Sequence, residues 1–164
     1  WEVITRQMRY LAQTAGVKDF FVDHLTALAD PSNERESLEV LMKDVASIAQ
    51  ELQVTIYMVS HLSTPEGTPH EEGGRIMLRH FKGSRAIGFW SHYAFGLERH
   101  QTHDNAAQRL LTTVRCLKDR YTGQAAGKTF RLRYEPTTGI LSEHTHDDPG
   151  ETSGGNRADD ESPF

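Results

Sequence analysis

The chain has 164 residues, of which 37% are hydrophobic and 25% are charged, values typical of one globular domain with a core of moderate size. No stretch reaches the roughly 20 apolar residues needed to span a bilayer, and the first residues do not resemble a signal peptide, so we expect neither a membrane protein nor a secreted one. The single cysteine, Cys116, excludes an intramolecular disulfide framework, fits a cytoplasmic protein and is expected to pack in the core.

The net charge of -5 is concentrated at one end of the chain. Residues 143–164 hold seven acidic residues and one basic residue, a net charge of -6, so residues 1–142 sum to +1. The body is therefore not strongly basic, as a lone DNA-binding domain often is. Because the acidic end is also poor in apolar residues, we expect residues 1–142 to fold and residues 143–164 to form a disordered tail.

The first half of the chain alternates between helix and strand. Apolar spacing predicts four elements: residues 3–15 (helix), 19–25 (strand), 33–52 (helix) and 54–62 (strand). Gly16 is expected to end the first helix, and Asn33 with Glu36 forms a predicted capping box for the second. This order, with nearly continuous apolar strands, predicts an α/β fold with a mainly parallel sheet covered by helices on both faces.

The second half has a different organisation. Residues 63–80 are rich in Pro, Gly, Thr, Glu and His and predict a long loop, followed by a short helix at about 84–90. Turn signals separate three further predicted strands, at residues 92–97, 110–117 and 129–134. We therefore expect antiparallel strands on the C-terminal side of the domain.

Two polar side chains come at the ends of the two predicted buried strands. Asp23 follows one apolar run and His61 ends the next. Because the carboxyl ends of parallel strands meet at one edge of a sheet, we expect these residues to lie side by side. A carboxylate there can hold Mg²⁺ or its water, and an imidazole there can respond to a phosphate. The alternatives, for each residue taken alone, are an N-capping or surface aspartate for Asp23 and a structural histidine for His61.

A catalytic metal centre is the alternative to a nucleotide-bound Mg²⁺. Five of the nine histidines could join Asp23 as ligands: His24, His61, His70, His80 and His92. However, the sequence contains no HExxH and no close Cys/His pairing, and the candidates are spread over strands and loops. Magnesium bound through a nucleotide is therefore favoured over a metal-dependent hydrolase.

Two basic segments are candidates for contact with phosphates. Residues 79–85 (RHFKGSR) combine bases, an aromatic and a glycine, and can place backbone amides, Lys82 and Arg85 against a phosphate chain. Lys118 and Arg120 alternate along a strand end, so both project to one side, where an arginine can reach a neighbouring subunit's nucleotide. The alternatives are a solvated basic turn and an exposed arginine in a salt bridge.

In this order the segments resemble the C-terminal half of the RecA-like motor of DnaB-type (superfamily 4) replicative DNA helicases. FFVDHLTAL is similar to the Walker B strand, VSHL to the segment ending in the sensor histidine, FKGSRAIGFW to the fourth conserved motif, and LKDRYTG to the arginine-finger strand. HEEG followed by KGS, GLER and KDRYTG is most similar to phage primase-helicases and their mitochondrial relative Twinkle. The resemblance covers most of residues 1–142 and implies a RecA-like fold.

The resemblance implies a homohexameric ring that uses ATP, or another NTP, with Mg²⁺ to unwind duplex DNA. Asp23 would hold the nucleotide-bound Mg²⁺, and His61 would couple the γ-phosphate to the loop that starts at Leu62. Arg120, assisted by Lys118, would reach the ATP of the adjacent subunit.

The same resemblance places single-stranded DNA in the central channel, facing Lys82, Gly83 and Arg85. Two departures bear on this expectation. Residues 88–92 are Gly-Phe-Trp-Ser-His where many relatives have Glu-Gln-Asp-Ala-Asp, so the polar relay assigned to that glutamine is absent or replaced. The loop over residues 63–70 lacks the lysines that some phage relatives place there.

The acidic tail ends in an aromatic residue. Phe164, preceded by Asp159, Asp160 and Glu161, resembles the end of the phage primase-helicase tail, which docks on a basic patch of the replicative DNA polymerase. One aromatic at the end of a charged tail can anchor an otherwise diffuse attraction. The alternative is a terminus that only increases solubility.

No GxxxxGK[ST] phosphate-binding loop occurs in the chain, and no catalytic glutamate is identifiable. We therefore expect a partial domain that does not hydrolyse ATP alone, whereas the full protein does, in the host cytoplasm if it is phage-encoded. Two other readings stay open: a non-enzymatic RecA-like module for assembly or DNA binding, and an ATPase of the recombinase branch. A phosphate-binding loop upstream of Trp1 favours the helicase over the module, and strand displacement on a forked substrate separates it from a recombinase.

Overall fold

The computed structural model describes residues 1–145, apart from the side chain of Ser84. The helices are α1 (Glu2–Thr14), α2 (Glu34–Leu52) and α3 (Ser84–Trp90), and the strands are β1 (Asp19–Val22), β2 (Thr55–Met58), β3 (Tyr93–Glu98), β4 (Leu111–Asp119), β5 (Thr129–Glu135) and β6 (Ile140–His144). Short 3-10 helices cover Leu25–Leu28, Leu78–His80 and Gln108–Leu110. Within residues 1–145 no helix is long and apolar enough to cross a membrane.

β1 and β2 form a parallel pair, with Asp19 opposite Thr55 and Val22 opposite Met58. Parallel neighbours need a crossover of a dozen or more residues, and here α2 supplies it. The predicted order of helix, strand, helix and strand is confirmed. Gly16, with φ +68°, takes the left-handed conformation predicted after α1.

The C-terminal strands form a separate antiparallel sheet in the order β3-β4-β5-β6. The β4–β5 and β5–β6 connections are too short for a parallel crossover, and the longer β3–β4 connection holds only a 3-10 helix; all three neighbouring pairs are antiparallel. The predicted antiparallel strands are confirmed, but the predicted mainly parallel sheet is wrong for residues 1–145, where the parallel part is one pair. β6 was not predicted and continues to His144, past the expected domain boundary at residue 142.

The core is built around one face of α2. Seven buried residues form it: Leu25, Leu38, Leu41, Met42, Val45, Ala86 and Ile87. Ile56 and Met58 pack against this cluster from the inner face of β2, and α3 supplies Ala86 and Ile87 from the other side. Burial of this apolar surface positions α3 relative to the parallel pair.

The other face of the parallel pair is not covered by described residues. Phe21 and Tyr57 stack there with ring centroids 4.6 Å apart, and their exposed fractions are 79% and 48%. The expected helix layers on both faces are therefore wrong for this part of the chain. α2 provides one layer, and no other described helix lies on the outer side.

Two local predictions have different outcomes. The predicted capping box does not form, because the Asn33 amide donates to the Glu36 carboxylate at 2.6 Å and makes no side-chain bond to the helix backbone. Cys116 is 6% exposed, so its predicted place in the core is confirmed.

The burial pattern of α2 gives a stability prediction. Leu38 is 1% exposed and Val40, on the same helix, is 62% exposed. We expect Leu38→Ala to lower the free energy of unfolding by about 2–5 kcal/mol, through lost apolar transfer and a residual cavity. Val40→Ala is the matched control, with an expected cost of less than about 1 kcal/mol. Denaturant unfolding measures both, and equal effects would contradict the assignment of the core.

Candidate functional site

The ends of the two parallel strands bring Asp23 and His61 to the same edge of the sheet. Asp23 directly follows β1, and His61 comes three residues after Met58 at the end of β2. Backbone bonds continue beyond the ladder, from Val59 N to Val22 O at 3.1 Å and from Leu25 N to Val59 O at 2.8 Å. Both side chains are exposed to solvent at this edge.

A threonine and a second histidine also belong to this edge. The Thr26 hydroxyl lies 2.8 Å from His24 Nδ1 and 3.2 Å from His61 Nδ1. The two imidazoles are 4.1 Å apart between centroids and tilted by 43°. Neither Thr26 nor this role of His24 was predicted, and a signal was available: both lie within three residues of Asp23, in the same DHLT segment.

The chain after β2 pairs with the start of the basic segment. Lys82 N donates to His61 O at 3.0 Å, Ser63 N donates to His80 O at 2.7 Å, and Leu62 forms an antiparallel bridge with Phe81. Phe81 also packs against the core. His61 is therefore joined to Lys82 by a direct backbone hydrogen bond, although twenty residues separate them in the chain.

Gly83 is required where the basic segment meets α3. Its φ of +74° is a left-handed conformation, and a Cβ on it would lie 2.5 Å from Leu38 Cδ1. A side chain would therefore be both strained and crowded. Lys82 and Arg85 flank this glycine and are exposed, so the three residues predicted to face DNA form one short surface segment.

Lys118 and Arg120 both reach the carboxyl end of α3. The Lys118 ammonium donates to Gly88 O at 2.7 Å and to Ser91 O at 2.6 Å, and Arg120 Nη1 donates to Phe89 O at 3.2 Å. Their predicted projection to one side is therefore observed. Burial, together with the charge of Arg120, lowers the pKa of Lys118. Lys118 is occupied by backbone carbonyls, whereas Arg120 is exposed at the surface.

Asp119 shapes the turn that follows Arg120. Its carboxylate accepts hydrogen bonds from the Thr122 hydroxyl and from the backbone N–H groups of Thr122, Tyr121 and Ala125. The Thr122 bonds come first among the causes that lower the pKa of Asp119 to about 2. The carboxylate therefore stays ionised at neutral pH and fixes the loop between β4 and β5.

The residue at the place of the missing glutamine is Phe89. It is 64% exposed and makes an edge-on contact with Trp90, with ring centroids 5.0 Å apart. Its carbonyl, and not its side chain, bonds to Arg120. At this position the contact with Arg120 is therefore made by the backbone and not by the side chain.

The histidines considered as metal ligands lie in separate places. His24 contacts His61, His70 lies 5.0 Å from His80 between ring centroids, and His92 contacts Tyr121. Among residues 1–145 no group of three or more His, Cys, Asp or Glu side chains is placed to hold a metal ion. The four residues of the predicted polymerase contact, Asp159, Asp160, Glu161 and Phe164, lie outside the described residues.

Comparison with known proteins shows a similarity to a phage protein. No protein-family model matches the chain. The chain is 30% identical over 139 residues to a DNA helicase/primase of Enterobacteria phage T3. The chain is related to a phage helicase/primase. The similarity covers 82% of this chain but 24% of that protein, so the chain spans about a quarter of the relative's length.

The long loop over residues 63–80 is tied to the antiparallel sheet by a buried carboxylate that sequence reasoning missed. Glu98 is 8% exposed and accepts hydrogen bonds from Arg115 at 2.8 and 3.0 Å and from Ile76 N at 3.0 Å. Burial alone would raise the pKa of Glu98. The bonds from Arg115 and Ile76 and the charges of Arg115 and Arg75 outweigh burial, so the pKa lies below its usual value.

We expect Glu98→Gln to lower the free energy of unfolding by on the order of 3 kcal/mol at neutral pH, because it leaves Arg115 without its ion-pair partner. A lowered folded-state pKa means that the stabilisation is complete above the unfolded pKa and is lost as pH falls through the folded one. The difference from wild type should therefore shrink on acidification. Denaturant unfolding across pH measures it.

The exposed Arg9–Glu51 pair is the matched control, since it has the same bidentate geometry. Glu51→Gln should change the unfolding midpoint little, because exposed pairs contribute little. A Glu98→Gln protein as stable as Glu51→Gln would show that the loop does not depend on the buried carboxylate.

Proposed function

We propose that this chain is the C-terminal part of the RecA-like motor domain of a DnaB-type replicative helicase, similar to phage primase-helicases and Twinkle. In the full protein, a homohexameric ring uses ATP or another NTP to move along single-stranded DNA and unwind the duplex. One observation carries the proposal. The strand edge that holds Asp23 and His61 is hydrogen-bonded to the basic segment at Lys82, and α3, which follows that segment, is hydrogen-bonded to Arg120 near its other end. Relatedness to a phage helicase/primase supports the same reading.

At the nucleotide end, the exposed Asp23 carboxylate suits Mg²⁺, which keeps most of its waters and takes oxygen ligands. Bound with ATP, the ion would neutralise charge on the phosphates. His61 lies at the same edge and presents an imidazole to a terminal phosphate. Its backbone carbonyl holds Lys82, so a shift of His61 moves the start of the basic segment.

At the DNA end, Lys82 and Gly83 precede α3, and Arg85 lies in its first turn. Two exposed cations flanking a glycine can hold a phosphodiester chain without reading its bases, as translocation along any sequence requires. The segment is fixed to the core by Phe81 and Ala86, so it moves with α3.

At the subunit boundary, we assign Arg120 to the ATP of the adjacent subunit. Lys118 then acts by position: its ammonium fixes the carboxyl end of α3 to β4 and sets the place from which Arg120 extends. The same helix carries the DNA segment at its beginning and the Arg120 contact at its end. ATP at the boundary and DNA in the channel are thereby linked through α3.

The chain also has the surfaces expected of a partial domain. β2 and β3 are edge strands of separate sheets within residues 1–145. Tyr93, Phe95 and Leu97 on β3 are exposed, as are Phe21 and Tyr57. Exposed apolar side chains grouped on a strand are typical of an interaction surface. We assign that partner to a preceding part of the full protein that carries the phosphate-binding loop, and we place the polymerase contact in the acidic end of the chain.

The boundary assignment predicts complementation between defective subunits. In the full-length protein, Asp23→Asn should abolish Mg²⁺-dependent ATPase activity, and Arg120→Ala should lower it by about 10³-fold or more. Because each site takes Asp23 from one subunit and Arg120 from its neighbour, rings reassembled from both variants should regain part of the activity. Steady-state ATP hydrolysis and forked-duplex unwinding measure this.

The control mixes Asp23→Asn with the double variant Asp23→Asn/Arg120→Ala, which contains no intact site. Recovery in the first mixture alone supports the shared site. If neither mixture regains activity, the shared site is contradicted. A wild-type full-length protein that binds DNA but hydrolyses no nucleotide would favour a non-enzymatic module, and ATPase with strand exchange but no fork unwinding would favour the recombinase branch.

The DNA assignment predicts a change in salt dependence. In the full-length protein, Lys82→Ala and Arg85→Ala should each reduce the slope of log affinity for single-stranded DNA against log salt by about 0.7, the value for one phosphate contact. The loss should be similar for different DNA sequences. Fluorescence anisotropy titrations at several salt concentrations measure the slope. Lys43→Ala, on the exposed surface of α2, is the matched control, and an equal change in that variant would contradict the assignment.

A further inference from the structure

The hydrogen bonds among His24, Thr26 and His61 limit where the protons of the two imidazoles can be. The Thr26 hydroxyl lies within hydrogen-bond distance of Nδ1 of both imidazoles, at 2.8 and 3.2 Å. A hydroxyl has one proton to donate and lone pairs with which to accept. When both imidazoles are neutral, one ring must therefore carry a proton on Nδ1 and the other must not.

If His61 contacts a terminal phosphate, as proposed above, the donor and acceptor of each of these two hydrogen bonds are determined. A phosphate oxygen only accepts hydrogen bonds, so an imidazole that contacts it must carry its proton on Nε2. In neutral His61, Nδ1 is then a lone pair that accepts from the Thr26 hydroxyl. Thr26 in turn accepts from Nδ1–H of His24, and the chain of donors runs from His24 through Thr26 to His61.

We propose that Thr26 and His24 are positioning residues for His61, holding its imidazole with Nδ1 as acceptor and Nε2–H directed to the terminal phosphate. The inference rests on the proposed function and assigns two residues to the site that the motif resemblance does not. The ring contact at 4.1 Å restricts rotation of His61, while the Thr26 bond decides which nitrogen carries the proton. Second partners of this kind fix histidine orientation and tautomer in many sites.

The test uses the full-length protein and two ligands, a non-hydrolysable ATP analogue and ADP, each with Mg²⁺. Thr26→Val keeps the shape of the side chain and removes the hydroxyl. We expect it to weaken binding of the ATP analogue about fivefold, the value of one ordinary hydrogen bond, and to leave ADP binding unchanged. Thr26→Ser restores the hydroxyl and should restore the discrimination between the two ligands.

Two further variants separate the contributions of the cluster. His24→Phe keeps an aromatic ring against His61 but cannot donate to Thr26, so it should weaken binding of the ATP analogue less than Thr26→Val does. Thr14→Val is the matched control, because its hydroxyl bonds the Tyr10 carbonyl on α1, away from the strand edge. A merely structural role of Thr26 would change analogue and ADP binding together, and this result would overturn the proposal.

A spectroscopic measurement reads the tautomer directly and does not need nucleotide. In sedimented full-length protein with ¹⁵N-labelled histidine, solid-state NMR should show an unprotonated Nδ1 for His61, assigned by its loss in His61→Ala. A protonated Nδ1 with a bare Nε2 would overturn the inference. If the wild type binds neither ligand, the proposed function is wrong. If the wild type binds both and Thr26→Val binds them equally well, only the positioning role is wrong.

Discussion

The pairing of residues 61–63 with residues 80–82 is the contact on which the rest of the site depends. It brings the end of β2 to the beginning of α3 across a loop of sixteen residues, and closing such a loop costs conformational entropy. Packing of Phe81 against the core and the hold of Glu98 on Ile76 N offset that cost. Without these contacts, the strand edge and the basic segment would not be held next to each other.

α3 connects the basic segment to the contact with Arg120, although it is a short helix. Seven residues form about two turns, and a helix this short has little stability of its own. Three independent features hold it: the left-handed Gly83 at its start, the buried Ala86 and Ile87 along one side, and the Lys118 ammonium on its last carbonyls. Both ends of α3 are therefore fixed to other parts of the fold.

Sequence patterns predicted the elements whose signal is local. α2 and the parallel pair follow from apolar periodicity and β-branched runs, and the neighbouring ends of β1 and β2 follow from parallel pairing itself. The predicted helix layer on the outer face of the parallel pair is absent among residues 1–145, where Phe21 and Tyr57 are exposed instead. β6 was missed because its five residues are weakly apolar and are stabilised by pairing with β5. The bonds from Thr26 to His61, from Glu98 to Arg115 and Ile76, and from Lys118 to the end of α3 join residues far apart in the sequence, and no local spacing predicts them.

Phe89 shows why backbone contacts matter in this site. A polar relay through a side chain depends on residue identity, and the glutamine expected here is absent. A carbonyl is present whatever the side chain, so Phe89 O can accept from Arg120 while its ring stays exposed. His61 O bonds to Lys82 N in the same way. The links at both ends of α3 thus involve main-chain atoms, which permits the side chains between them to change while the connection is retained.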